Sequence, residues 1–247
     1  MKEKIYTIPI NESFDQDTEC PFCYIEKKLE ADAVKYALGP AMMEPDYRII
    51  SNDKGYCNKH FSMMFSQPNK LSLALVLETH VAEIIKKLEK HQAVSKLKGS
   101  KSSLFGSKKT NTHITSLTEE CKDMQSSCVI CEKIDAEFKR YTEVFFYMWE
   151  KDEELKNKVL KSKGFCMKHF SLLCTTAPKH LKKPEDFISS IYALELDNLK
   201  RLNEDVHKFT LKFDYRNKDM ELGAAEDAPL RTIEKLRGHI LPIKPEN

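Results

Sequence analysis

Apolar residues recur at three- and four-residue intervals along most of the chain, the mark of amphipathic helix. After Cys20, the positions Phe22, Ile25, Leu29, Ala33 and Tyr36 share one helical face. Asp17 or Thr18 can cap that helix, and Gly39-Pro40 ends it. A second helix is expected from near Cys57 to about Ser66. A third, long one carries Leu73, Leu77, Val81, Ile84 and Leu88. The pattern then starts again. Ser126 or Ser127 caps a helix carrying Ile130, Ile134, Phe138, Tyr141, Phe145 and Met148, with Trp149 extending its apolar face. The charged stretch 150–163 reads as helix stopped by Gly164, and helix resumes around Cys166. A loop is expected around Pro178 and Pro184, before a last long helix carrying Phe187, Ile191, Leu194, Leu202, Val206 and Phe209. The tail, 214–247, holds one short helix near 230–236. With 7 Gly and 10 Pro in 247 residues, turn-rich β architectures are disfavoured and the fold class is all-α.

Two segments match closely. Cys20-Pro-Phe-Cys23 is followed by Gly55-Tyr-Cys57-Asn-Lys-His60-Phe-Ser. Cys128-Val-Ile-Cys131 is followed by Gly164-Phe-Cys166-Met-Lys-His169-Phe-Ser. Between the second and third cysteine lie 33 residues in the first copy and 34 in the second. Nearly equal spacing around the same words reads as an internal duplication. The expected organisation is a first helical metal-binding unit over 1–91, a flexible basic linker over 92–118, a second unit over 119–213, and the tail. The linker contains Lys96, Lys98, Lys101, Lys108 and Lys109 among Ser, Thr and Gly.

Charged residues make up 32% of the chain but nearly cancel, to a net charge of +2. That balance argues against a dedicated nucleic-acid binder. The N-terminal residues carry no apolar signal core, and no apolar run approaches the roughly 18 residues that span a membrane. A cytoplasmic protein is expected. In that reducing setting the 8 cysteines point to metal ligation rather than disulfides.

A structural zinc ion takes four thiolate or imidazole ligands in a tetrahedron, and three Cys with one His is a standard set. Two ligands three residues apart at a helix start can chelate one ion. Equal spacing within each half suggests self-contained sites: Cys20, Cys23, Cys57 and His60 for one ion, and Cys128, Cys131, Cys166 and His169 for the other. Zn2+ is the default metal, with an iron–sulfur cluster the minority option. Simple burial of cysteine leaves the fourfold x-x spacing unexplained. The rival from another class is a thiol redox sensor or oxidoreductase using the Cys-x-x-Cys pairs, although no βαβ pattern surrounds them. Nucleic-acid binding through the linker is a further alternative.

Cys121 and Cys174 fall outside the pattern and are expected to be unligated. In the alignment of the two halves His80 faces Asp197, while Glu78 and Glu195 are paired acids that could support a ligand His. His91, His113, His180, His207 and His239 read as surface residues. No Ser-His-Asp set, phosphate-binding glycine loop or H-E-x-x-H motif is present, and both presumed sites have four ligands, so no catalytic role is assigned.

The segments CPFCYIEKKLE (20–30), LGPAMMEPDYRI (38–49) and GYCNKHFSMMF (55–65) resemble a bacterial family catalogued as domain of unknown function 6062. FDYRNKD (213–219) and DAPLRTIEKLRG (227–238) resemble its end. The resemblance implies no activity. It treats the tail as part of the protein and draws attention to the unduplicated LGPAMMEPD stretch, whose acids are Glu44 and Asp46. The reading as a whole is a zinc-binding helical scaffold with a protein partner.

Overall fold

The computed structural model describes residues 3–98 and 106–239. Among these it is helical, with no strand. The helices are α1 (Glu3–Phe14), α2 (Pro21–Ala37), α3 (Pro45–Lys54), α4 (Asn58–Ser66), α5 (Lys70–Lys98), α6 (Gly106–Ser126), α7 (Val129–Lys151), α8 (Glu153–Lys161), α9 (Met167–His180), α10 (Pro184–Leu211) and α11 (Ala228–Arg237). None is long and apolar enough to cross a membrane.

Local chemistry sets the boundaries. Proline stands in the first turn of α3, α10 and α11, where a missing N–H costs nothing. Asp152 caps α8 by accepting from the N–H groups of Glu154 and Leu155 at 3.0 and 3.1 Å. Acids in the first turn of α8 and lysines in its last suit the helix dipole. α9 runs on through Pro178 to His180, so the expected loop shrinks to 181–183. Pro178 has no N–H to donate to the Cys174 carbonyl, and the helix ends two residues later.

The chain forms two compact units: residues 1–29 with 136–247, and residues 30–135. This division differs from the sequential halves expected from the spacing, because α2 and α7 each contribute to both units. α5 continues to Lys98 and α6 begins at Gly106, so the stretch 92–118 is helical except at 99–105, which lie outside the described residues.

The first unit is built on aromatic packing. Phe22, Phe145, Phe146, Phe165 and Phe187 are each at most 1% exposed. Phe22 meets Phe138, Phe145 and Phe165 edge-to-face at 5.6, 5.1 and 5.3 Å. α10 packs on α8, α9 and α11, and α1 on α8. The second unit buries smaller side chains: Ala33, Val34, Ala37, Leu38 and Ala41, with Met64, Leu73, Val76, Ile130 and Ile134. There α5 packs on α3, α4 and α6.

Candidate metal centres

Each cysteine pair or Cys-x-x-His opens a helix. Cys57 and Cys166 are the residues before α4 and α9, with extended backbone (φ −72°, ψ 165° and φ −69°, ψ 159°). Cys20 and Cys128 likewise stand just before α2 and α7. The second ligand of each pair is three residues on and projects from the same side of the first turn. A glycine prepares each Cys-x-x-His: Gly55 at φ 67° and Gly164 at φ 80°, a region that favours glycine. Space enforces the choice. A Cβ on Gly55 would lie 2.5 Å from His80 Nε2, and one on Gly164 would lie 2.6 Å from Glu195 Oε2.

Two clusters result. Cys20, Cys23, Cys166 and His169, all buried, have ligand atoms within 4.8 Å of one another and lie in the first unit. Cys57, His60, Cys128 and Cys131 do the same in the second, with Cys57 and Cys131 half-buried. In the first centre His169 Nδ1 is 3.3, 3.5 and 3.3 Å from the sulfurs of Cys20, Cys23 and Cys166, and Cys23 Sγ is 3.5 Å from Cys166 Sγ. In the second, His60 Nδ1 is 3.2, 3.2 and 3.4 Å from those of Cys57, Cys128 and Cys131, and the Cys57 and Cys131 sulfurs are 3.8 Å apart. Bond lengths to zinc of about 2.3 Å for sulfur and 2.05 Å for nitrogen give tetrahedral edges of about 3.8 Å (S–S) and 3.6 Å (S–N). Both centres could therefore hold a metal ion with only small adjustments.

All eight candidate residues fall in the two clusters, but in exchanged pairs: each Cys-x-x-Cys meets the Cys-x-x-His of the other matching segment. The three-residue spacing inside each Cys-x-x-Cys and Cys-x-x-His is the same for either pairing and cannot choose between them. Packing chooses. Phe22, inside the first Cys-x-x-Cys turn, stacks edge-on against Phe165 and His169 at 5.3 and 5.7 Å. In the second unit the Val129 N–H donates to the Gly55 carbonyl at 3.1 Å and Ser127 Oγ to the Lys54 carbonyl at 2.6 Å.

The histidines present Nδ1 to the sulfurs, leaving Nε2 for an outer partner. His60 Nε2 is 3.0 Å from Glu30 Oε1, which also pairs with Lys59. His169 Nε2 stands 3.6 Å from Glu26 Oε2, and Glu26 pairs with Lys168. At His60 the hydrogen-bonded carboxylate fixes the tautomer and raises ligand basicity, whereas His169 Nε2 is buried without a hydrogen-bond partner. Neither Glu26 nor Glu30 has a counterpart in the second matching segment, where Ile134 and Phe138 follow Cys128 at the same intervals, so comparing the two halves could not find them. Phe138 instead lies against His169, ring centroids 5.1 Å apart.

The thiols show what the clusters lack on their own. Burial, and then hydrogen bonding to Cys166 and Cys23, raises Cys20 well above the usual thiol range. Hydrogen bonding to Cys166 pushes Cys23 up to about 12. The thiols of Cys20 and Cys23 donate to Cys166, which is lowered. In the second centre burial works against a thiolate at Cys128, but bonds to His60 and to the N–H groups of Cys131 and Cys57 bring it down to about 6. Burial and the Cys128 charge raise Cys131. His60 is raised to about 10, the bonds to Cys128 and Glu30 outweighing burial. Each cluster thus stabilises one thiolate and resists more. A divalent cation is what would let three thiolates stand together.

The other expected residues resolve as follows. Glu78 is exposed and Glu195 buried. Glu195 supports no ligand histidine; it accepts from the Phe165 N–H at 3.0 Å, beside ligand candidate Cys166. It shares its place under the positive-φ glycine with His80, not with Glu78. Cys121 and Cys174 lie outside both clusters. Glu44 accepts from Tyr36 Oη and precedes α3, while Asp46 is exposed in its first turn. The side chain of His113 lies outside the described residues. His239, read as surface, is half-buried against Glu234 at 3.1 Å, and its backbone N–H bonds Cys23. Lys235 is fully buried, 2.9 Å from Glu195 Oε1 and donating to the Lys163 carbonyl at 2.6 Å. Neither residue was legible as part of a centre, since lysine is almost never buried and a backbone donor leaves no mark in sequence.

No curated protein and no solved structure matches the chain. A family model matches residues 1–242, nearly the full length and both candidate centres, and the chain belongs to that family of unknown function, DUF6062.

Proposed function

We propose that both centres hold Zn2+ as a structural ion, and that the protein is a non-catalytic helical scaffold for a protein partner in a reducing, cytoplasmic setting. One observation carries the zinc reading. Each set supplies four protein ligands at tetrahedral spacing, so no coordination position is kept open for a substrate. The matching glycine–Cys–His geometry in the two units also supports descent from a duplication. The test is elemental analysis of protein purified without added metal, with two zinc per chain expected. Metal-free or iron-containing protein with its helices intact would overturn the reading.

Protonation supplies a second check. At pH 7, Cys20, Cys23, Cys131 and His60, all raised, carry protons that an incoming ion must displace. At least two protons should leave per ion. Affinity should then rise with pH, by about 100-fold per unit between pH 6 and 7, and fall on acidification. Competition with a zinc indicator in weakly buffered solution reads both quantities. Binding that is independent of pH would contradict the ligand assignment.

For the partner, the support is an apolar stripe on α5. Leu77, Val81, Ile85 and Leu88 are 37%, 48%, 50% and 42% exposed and share one face. Val81→Asp with Ile85→Asp should keep zinc content and helicity while removing any complex captured by cross-linking in cells. An unchanged cross-linking pattern would remove α5 from the proposal.

A further inference from the structure

The two centres differ in shielding. In the first, Cys20, Cys23, Cys166 and His169 are 3%, 7%, 0% and 0% exposed. The segment after α11 packs over it: a Cβ on Gly238 would lie 3.6 Å from Cys23 Sγ and 3.8 Å from Cys166 Sγ, and the His239 N–H donates to Cys23. In the second, Cys128 and His60 are 2% and 1% exposed, but Cys57 and Cys131 are open to solvent in part. Those two sulfurs are 3.8 Å apart and belong to different segments of the chain.

We propose that the second centre is a releasable zinc site, opened by hydroperoxide oxidation of Cys57 and Cys131, while the first is permanent. This rests on the zinc reading above. One thiolate, Cys57 or Cys131, attacks the peroxide; the O–O bond breaks and hydroxide leaves as water after protonation, giving a sulfenic acid. The other thiolate attacks that sulfur, an S–S bond forms, and a second water leaves. Two thiolates, one hydrogen peroxide and two protons become one disulfide and two waters. The two sulfurs start 3.8 Å apart, and the bond would bring them to about 2.05 Å. Cys128 and His60 remain, and two ligands do not hold zinc against competitors. Proximity alone does not make the difference, since Cys23 and Cys166 are closer, at 3.5 Å. Exposure does: Cys57 and Cys131 are half-buried, whereas Cys20, Cys23 and Cys166 are at most 7% exposed, although Cys20 and Cys23 border a pocket lined by Glu234 and His239.

The experiment uses full-length protein first shown to contain two zinc. Stoichiometric hydrogen peroxide is added with a zinc indicator present, and cysteines are then mapped by mass spectrometry. The expected result is release of one of the two ions and a Cys57–Cys131 disulfide, with Cys20, Cys23 and Cys166 still reduced and zinc uptake restored by a thiol reductant. Parallel release of both ions, retention of both, or a disulfide confined to the first centre overturns this proposal while leaving the zinc reading in place. Protein that contains no zinc at the outset overturns the zinc reading and this proposal with it.

Discussion

Stripping zinc with a strong chelator should unfold the protein rather than merely empty it. A structural zinc site contributes about 10–16 kcal/mol of apparent binding free energy at neutral pH. A domain's whole stability is about 5–15 kcal/mol. The candidate ligands stand at the starts of four helices, α2, α4, α7 and α9, so loss of bound ions would release those helix starts together. The second unit should suffer more, because its core is of Ala, Val and Leu where the first unit has clustered phenylalanines. Circular dichroism during chelation should show a large, cooperative loss of helicity, regained on adding zinc. Full helicity and an unchanged thermal midpoint after complete zinc removal would show that the ions are passengers.

Lys235→Met should cost about 3–5 kcal/mol although it touches no ligand, because it strands a buried carboxylate. Burial already raises the Glu195 carboxyl, and Lys235 opposes that. Without the lysine, the folded state binds a proton more tightly than the unfolded chain does. The stability deficit should therefore be largest at alkaline pH and shrink as pH falls through the raised pKa. Urea unfolding at pH 8 and pH 5.5 measures it. Equal midpoints for variant and wild type at pH 8 would mean that the buried pair contributes nothing. The pair matters beyond its own energy because Glu195 also holds the Phe165 N–H next to Cys166.

Most helices were legible, because apolar spacing and terminal signals agreed. Phe22, Ile25 and Ala33 mark α2, and Phe187, Ile191 and Leu202 mark α10, as buried faces. α1, with Pro9 inside it, α3, with little apolar periodicity, and α6, which begins within the stretch read as a flexible linker, were not expected. α3 did carry the signals that could have revealed it, Pro45 in its first turn and Gly55 after its end. The clustered Cys and His residues were legible because a chelating set has a short local spacing. Their pairing was not, because it depends on which aromatic and backbone contacts bring distant segments together. The outer residues Glu26 and Glu30 escaped for a similar reason: a helix-face glutamate looks the same in sequence whether it meets solvent or an imidazole.

The exchanged pairing is the central claim, and counting zinc in two double variants tests it most directly. Cys20→Ala with Cys166→Ala damages one centre twice, so the protein should retain one zinc per chain. Cys20→Ala with Cys57→Ala damages both centres, so it should retain none. The reverse outcome, none for the first variant and one for the second, would contradict the exchanged pairing and restore self-contained sites within each half of the chain.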